Sequence, residues 1–315
     1  MSAPLFGGGR EFAAIARWVR QLGPQGHDIG DDAAVIAVPG DAALVASTDA
    51  SVEDVHFTRA WMSPEDIGWR ATMAALSDLA AMGAEALGVL VALAAPPSWD
   101  ADLDAVMRGV GEACAAARTR VLGGDTTRGP VLMLTVTVLG RAVRPLRRAG
   151  AVPGDLLYVS GALGGPGAAL AAWRAGQEPR PVHRARFLRP AARLSLGAWC
   201  AAHGATAAID LSDGMSSDLG HLAVASGVVC DVELAAVPRC DGVDPLAAVA
   251  SGEEYELLVT APPGLDRLAQ VARVGGLTPI GRVRAPGRGE RPGARFLRDG
   301  IRVDPPAGHD HLSPP

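Results

Sequence analysis

Short apolar runs that give way to aspartates recur in both halves of the chain, and this pattern constrains the fold more than any other. Ala42 to Ala46 reads as a strand, followed by Ser47-Thr48-Asp49 and then Glu53, Asp54 and His56. Gly26 to Asp32 is a glycine-punctuated acidic turn leading into a strand-like run, Ala33 to Val38. Gly123-Gly124-Asp125 follows Arg120-Val121-Leu122, and Asp210-Leu211-Ser212-Asp213 follows a short strand, Thr206 to Ile209. Acids grouped at a strand end are costly unless something positive binds there. Oxygen-only ligands favour a hard cation such as Mg²⁺ over zinc or copper. Taken alone, the segment from Ser47 to Phe57 fits a solvated loop as well as a metal site.

A helix adds one more acid in an unusual setting. Ser63-Pro64-Glu65-Asp66 is a helix start: serine caps, proline suits the first turn, and acids complement the dipole. The helix is expected to run to Met82 and end at Gly83. Asp78 lies late in it among Ala74, Ala75, Leu76, Leu79 and Met82. A carboxylate on such a stretch, at the negative end of a helix, needs a partner. A bound cation or a buried hydrogen-bonded structural role would supply one.

Other elements fill in an α/β pattern. Helices are expected at Glu11 to Leu22, Ser98 to Ala117, Ala168 to Arg174, Ala191 to His203 and Leu265 to Val274. Strands are expected at Ala86 to Ala94, Val131 to Leu139, Asp155 to Ser160, Val228 to Leu234 and Tyr255 to Thr260, with a hairpin around Asp299-Gly300. Gln177 to Pro190 reads as a Pro/Arg-rich loop, and Ala142 to Pro153 as a linker whose arginines suit phosphate. The chain of 315 residues is thus expected to form two mixed-sheet domains, 1–143 and 144–315. Gly161 to Gly167 opens a helix and fits either a phosphate cradle or an ordinary tight turn.

Composition excludes several chemistries. All 29 basic residues are arginine, with no lysine or asparagine. That removes the P-loop, the protein-kinase lysine and asparagine, and lysine Schiff-base catalysis. Phosphate charge must then be met by metals, arginines and backbone N–H groups. A net charge of −5 argues against a nucleic-acid platform. The four cysteines form no CxxC pair and read as reduced thiols of a cytoplasmic protein. No stretch is expected to span a membrane or act as a signal peptide.

Several motifs occur in a fixed order along the chain. They are Gly30-Asp31-Asp32-Ala33-Ala34, Ser47-Thr48-Asp49 with His56-Phe57, Leu76-Ser77-Asp78-Leu79-Ala80-Ala81-Met82-Gly83, Gly123-Gly124-Asp125-Thr126, Arg147-Arg148-Ala149-Gly150, Asp210-Leu211-Ser212-Asp213-Gly214 and Gly252-Glu253-Glu254-Tyr255-Glu256-Leu257. Together they resemble the thiamine-monophosphate kinases of the aminoimidazole-ribonucleotide synthetase-like superfamily, over nearly the whole chain. The resemblance implies ATP-dependent phosphorylation of thiamine monophosphate to thiamine diphosphate at a site holding several Mg²⁺ ions. It also implies a homodimer whose N-terminal domains pair through their sheets into a barrel, with a C-terminal α/β domain completing the cleft. Carried over residue by residue, Asp32, Ser47, Thr48, Asp49, Asp78, Asp125, Asp210 and Asp213 would hold metal. Gly124, Asp125, Arg148 and Ser212 would contact ATP, and His56, Glu253 and His309 the thiamine phosphate. Asp31 is expected to cap its turn, and Glu53 and Asp54 to shape their loop or face solvent rather than ligate.

Two departures stand out. The family's usual Glu-Asp-Tyr-Glu-Leu reads Glu253-Glu254-Tyr255-Glu256-Leu257 here, and His309 stands where a substrate-stacking aromatic is usual. The alternatives are another ATP-dependent member of the superfamily, such as aminoimidazole-ribonucleotide synthetase, or a non-catalytic thiamine-phosphate-binding protein. A selenophosphate synthetase would want a reactive cysteine before Cys114. A hydrogenase-maturation protein would want one in the tail, which reads Ser313-Pro314-Pro315.

Overall fold

Two mixed sheets carry the chain, and one helix lies between them. The structure, a computed structural model, describes residues 9–22 and 29–309. The first sheet contains β1 (Ala34–Ile36), β2 (Ala43–Val52), β3 (Glu85–Ala95), β4 (Val121–Arg128) and β5 (Met133–Ala142), in the order β1-β2-β5-β3-β4. All its pairings are antiparallel except β3 with β4. Within one chain this sheet is open, with β1 and β4 at its edges. The second sheet contains β6 (Leu156–Val159), β7 (Ala207–Asp210), β8 (Val229–Glu233), β9 (Leu257–Ala261), β10 (Thr278–Arg284), β11 (Gly293–Arg298) and β12 (Ile301–Val303). Its order is β12-β11-β8-β10-β6-β9-β7.

The helices are α1 (Arg10–Leu22), α2 (Pro64–Ala81), α3 (Leu103–Ala116), α4 (Gly165–Arg174), α5 (Pro181–Leu188), α6 (Leu194–Ala202), α7 (Met215–Ser226), α8 (Pro245–Ala250) and α9 (Leu265–Ala272). No described helix is long and apolar enough to cross a membrane. The start of α2 is as expected, with Ser63 Oγ accepting from Asp66 N and Pro64 in the first turn. This helix is buried on nearly every side, because it packs against the first sheet, α3 and α6 at once. A helix enclosed all round has no polar face to spare, which explains the alanine-rich setting of Asp78. Inner-face residues of β3 and β5, among them Val89, Val91, Leu134, Val136 and Val138, form one core with Leu76 and Leu79 of α2.

Several elements differ from expectation. The strand at Ala42–Ala46 does not stop there: β2 runs to Val52, because Ser47 to Val52 remain paired with β5. Ser47-Thr48-Asp49 is therefore mid-strand, and alternation divides its side chains between two faces. Gly123-Gly124-Asp125 likewise lies inside β4. The start of α3 falls at Leu103, after a 3₁₀ turn at Pro97–Trp99. The segment read as the loop 177–190 contains α5, and β10 and α8 were not foreseen.

Candidate active site

Three carboxylates from distant parts of the chain meet where the two sheets approach. Asp32 precedes β1, Asp78 lies in the last turn of α2, and Asp210 ends β7. One oxygen from each lies within 4.8 Å of the others. Asp32 and Asp210 are buried. Ser47 Oγ on β2 donates to Asp78 Oδ2 at 2.5 Å.

The electrostatics are those of a site built for a cation. Burial, with the Asp49, Asp210 and Asp32 charges behind it, raises Asp78 well above the ordinary carboxylate range. Burial and the nearby Asp32 charge push Asp210 up to about 8. Asp32 is also raised, chiefly by burial and against the Arg148 charge. Arg148 Nη2 and Nε both donate to Asp32 Oδ1, at 2.6 and 3.2 Å. Asp32 Oδ2 is buried without a hydrogen-bond partner among the described residues. A buried orphan oxygen beside two more carboxylates fits a bound divalent cation, and the all-oxygen donor set suits Mg²⁺.

The second half of the chain closes over this cluster. Residues 211–214 link β7 to α7, and Asp218 Oδ2 accepts from Asp213 N and Gly214 N at 3.2 and 3.0 Å, shaping that turn. Glu253 N donates to Ser212 O at 2.6 Å, and His309 N to Asp213 O at 2.9 Å. The tail thus rests on the same turn. Asp218 is buried and raised well above its ordinary range by burial and the Asp213 and Asp210 charges.

The expected site residues fall into two groups. Asp32, Ser47, Asp78, Asp210 and Arg148 come together; Asp49 acts electrostatically on Asp78; Ser212, Asp213, Glu253 and His309 are joined through backbone bonds. Thr48 lies on the opposite face of β2 from Ser47 and Asp49, with its hydroxyl 3.0 Å from that of Thr137. Asp125 registers with Ala92 on edge strand β4, which is exposed along its whole length. It shares Thr48's face, three strand spacings across and two residues along, or about 16 Å away. Gly124 beside it admits no side chain, since a Cβ there would lie 1.9 Å from Val91 O. His56 sits in the turn after β2, its Nδ1 accepting from Val52 N at 3.1 Å.

Neighbouring acids have structural work. Asp31 accepts from Arg148 N and Arg147 Nη1, at 2.9 and 2.6 Å, fastening the linker. Glu53 accepts from Trp99 Nε1 and Leu132 N, holding the His56 turn to the first sheet. Gly164 N and Gly167 N in the glycine turn are bonded to Glu254 Oε1 and Ser251 Oγ, so this turn is an ordinary one. Asp218 is the third aspartate of the acidic turn that begins at Asp210, whereas Arg70, buried on α2, is not singled out from sequence. Arg70 is a charge within the enclosed stretch of α2 and carries the same signal that drew attention to Asp78.

The two-sheet architecture and its carboxylate centre define a protein of the AIR synthase related class. Family models for its N-terminal and C-terminal domains match residues 30–142 and 152–292. The thiamine-monophosphate kinase of Salmonella typhimurium is 37% identical, over 97% of this chain and 99% of its own. That of Mycobacterium tuberculosis (strain H37Rv) is 38% identical over 79% of each. A solved structure described as AaThiL complexed with AMPPCP and TMP superposes with a TM-score of 0.84 at 30% identity, covering 96% of this chain and 97% of that one. The chain belongs to the thiamine-monophosphate kinase family.

Proposed function

We propose that this chain transfers the γ-phosphoryl group of ATP to thiamine monophosphate, giving thiamine diphosphate and ADP. The observation that carries the reading is the Asp32–Asp78–Asp210 cluster with its orphan buried oxygen. It occurs in a chain whose solved relative holds AMPPCP and TMP. Asp32, Ser47, Thr48, Asp49, Asp78, Asp125, Asp210 and Asp213 are the residues that would hold Mg²⁺. When bound, Mg²⁺ offsets polyphosphate charge and the charge that develops on transfer.

The chain's own groups bind and orient. Arg148, Ser212, Gly124 and Asp125 would contact ATP; His56, Glu253 and His309 would hold the acceptor. An oxygen of the acceptor phosphate forms a bond to Pγ as the bond from Pγ to the β–γ bridging oxygen breaks, and ADP leaves. The acceptor phosphate is already ionised near neutral pH, so no side chain need remove a proton. Direct in-line transfer follows, with no phosphoenzyme and no dedicated base.

A homodimer is part of the reading. Leu87, Leu90, Val121 and Leu122 leave exposed apolar surface on β3 and β4. A twofold pairing through the first sheet would cover such surface and bring one copy's Asp125 toward the other's Thr48. We place the division between domains at 143–144, where β5 has ended. Four buried free cysteines support a reducing, cytoplasmic setting.

The test is direct. Folded protein with Mg-ATP and thiamine monophosphate is expected to yield thiamine diphosphate and ADP in equal amounts. ADP without thiamine diphosphate, or a phosphorylated residue on the competent pathway, overturns the reading.

A further inference from the structure

Arg70 is buried on α2, eight residues before Asp78, which is about 12 Å along the helix axis. Its Nη1 donates to Phe187 O of α5 at 2.6 Å, and its guanidinium lies 4.0 Å from the Phe187 ring centroid and 5.9 Å from that of Tyr255. Its Nη2 lies 2.5 Å from Glu253 Oε2, an ion pair by distance that is not aligned as a hydrogen bond. Tyr255 Oη donates to that same oxygen. Neither anchor engages Glu253 Oε1, and the side chain remains 24% exposed.

The loop holding Glu253 has strained backbone at two positions. Glu253 and Tyr255 have φ of 64° and 51°, left-handed values for residues with a Cβ. Such backbone costs on the order of 1–3 kcal/mol per residue and persists where the surroundings over-determine it. Here Glu253 N is held by Ser212 O and Tyr255 N by Leu211 O. Glu254 and Glu256, the alternate acids, are buried and bound to Arg186, Arg193, Ser251 and Ser160. Those two fasten the loop to the fold. Glu253 is the acid whose side chain keeps solvent contact and, among the described residues, one unengaged oxygen.

We infer that Arg70 is a positioning residue that, with Tyr255, fixes Glu253 so that Oε1 meets the cationic thiamine moiety of the acceptor. Arg70 ties the substrate loop to the helix that carries Asp78 in its last turn, so acceptor and carboxylate cluster share one rigid reference. The inference rests on the proposed assignment of Glu253 to thiamine monophosphate.

The test compares Arg70→Met, Glu253→Gln and their double variant by steady-state kinetics. Each single change is expected to raise KM for thiamine monophosphate by about tenfold while KM for Mg-ATP stays within about twofold. The double variant is expected to match the worse single one within about twofold, since both remove one unit. Arg70→Lys and Tyr255→Phe supply the comparison if Arg70→Met does not fold. Each is expected to raise KM for thiamine monophosphate by about threefold or more, without adding to Glu253→Gln. Multiplying effects, or a parallel rise in both KM values, overturns the inference. Wild-type protein that forms no thiamine diphosphate, or a silent Glu253→Gln, overturns it together with the functional reading. An affected Glu253→Gln beside unaffected Arg70 and Tyr255 variants overturns the inference alone.

Discussion

Arg148 places two nitrogens on a single oxygen of Asp32 and leaves the other oxygen, buried, without a donor. The guanidinium therefore compensates one oxygen of a carboxylate that sits beside two further acids. Removing the arginine exposes how much of the site's charge it balances. Arg148→Met is expected to destabilise the metal-free protein by about 3–5 kcal/mol, the usual consequence of breaking a buried pair from one side. Adding Asp32→Asn to it is expected to restore most of that loss. Urea denaturation of the two variants checks this; strictly additive losses would contradict it.

Asp78 is expected to trade stability for activity. Three carboxylates within 4.8 Å repel one another when no cation is present. Asp78→Asn is therefore expected to melt at least as high as wild type in EDTA, yet to lose about 100-fold or more in turnover with Mg²⁺. Melting curves with and without Mg²⁺, beside product formation, separate the two effects. An active Asp78→Asn would remove the carboxylate cluster from the mechanism.

Glu254 makes stability depend on pH. Burial pushes its carboxyl from 4.5 up to about 7, against the Ser251 hydrogen bond and the Arg186 charge. The folded protein thus holds this proton more tightly than the unfolded chain. The resulting stabilisation is complete below about pH 4.5 and is lost as pH rises through about 7. The stability of wild type relative to Glu254→Gln is expected to fall by about 3 kcal/mol between pH 4.5 and 8. Paired urea titrations across that range measure it, and a constant difference would refute it.

Asp125 offers a test of shared sites. Asp125→Asn and Asp49→Asn are each expected to be nearly inactive. If one copy's Asp125 serves the other's site, mixing and re-forming the dimers leaves one intact site in each heterodimer. Activity then returns to about a quarter of wild type. A mixture as inactive as its parents means that each site is complete within one chain.

How far the residues alone disclosed this molecule follows from what each signal reports. Ser63-Pro64-Glu65-Asp66 marked the start of α2 because capping is local chemistry. The acids at Asp32, Asp78 and Asp210 stood out because carboxylates beside apolar runs need partners, and the structure brings those three together. The separation of Thr48 from Ser47 and Asp49 was hidden, because the polar residues seemed to end a strand that continues through pairing with β5. Non-local pairing leaves no local mark. Pro279 and Gly281 disguised β10: the proline sits at a register shift, and the glycine lets Asp231 O approach a position where a Cβ would be 2.0 Å away. The abundance of proline and arginine concealed α5, whose Pro181 simply occupies the first turn.

The exposed edge β4 carries a consequence for the newly made chain. A strand bare on all eight residues presents a row of open hydrogen-bonding groups to any other unfinished sheet nearby. Gly123 and Gly124 pair poorly as strand residues, and Asp125 adds a charge that discourages stacking on a like edge. The motif proposed to receive nucleotide thus also has the composition that opposes edge-to-edge pairing. Changes made there to alter nucleotide preference would surface first as lost soluble yield.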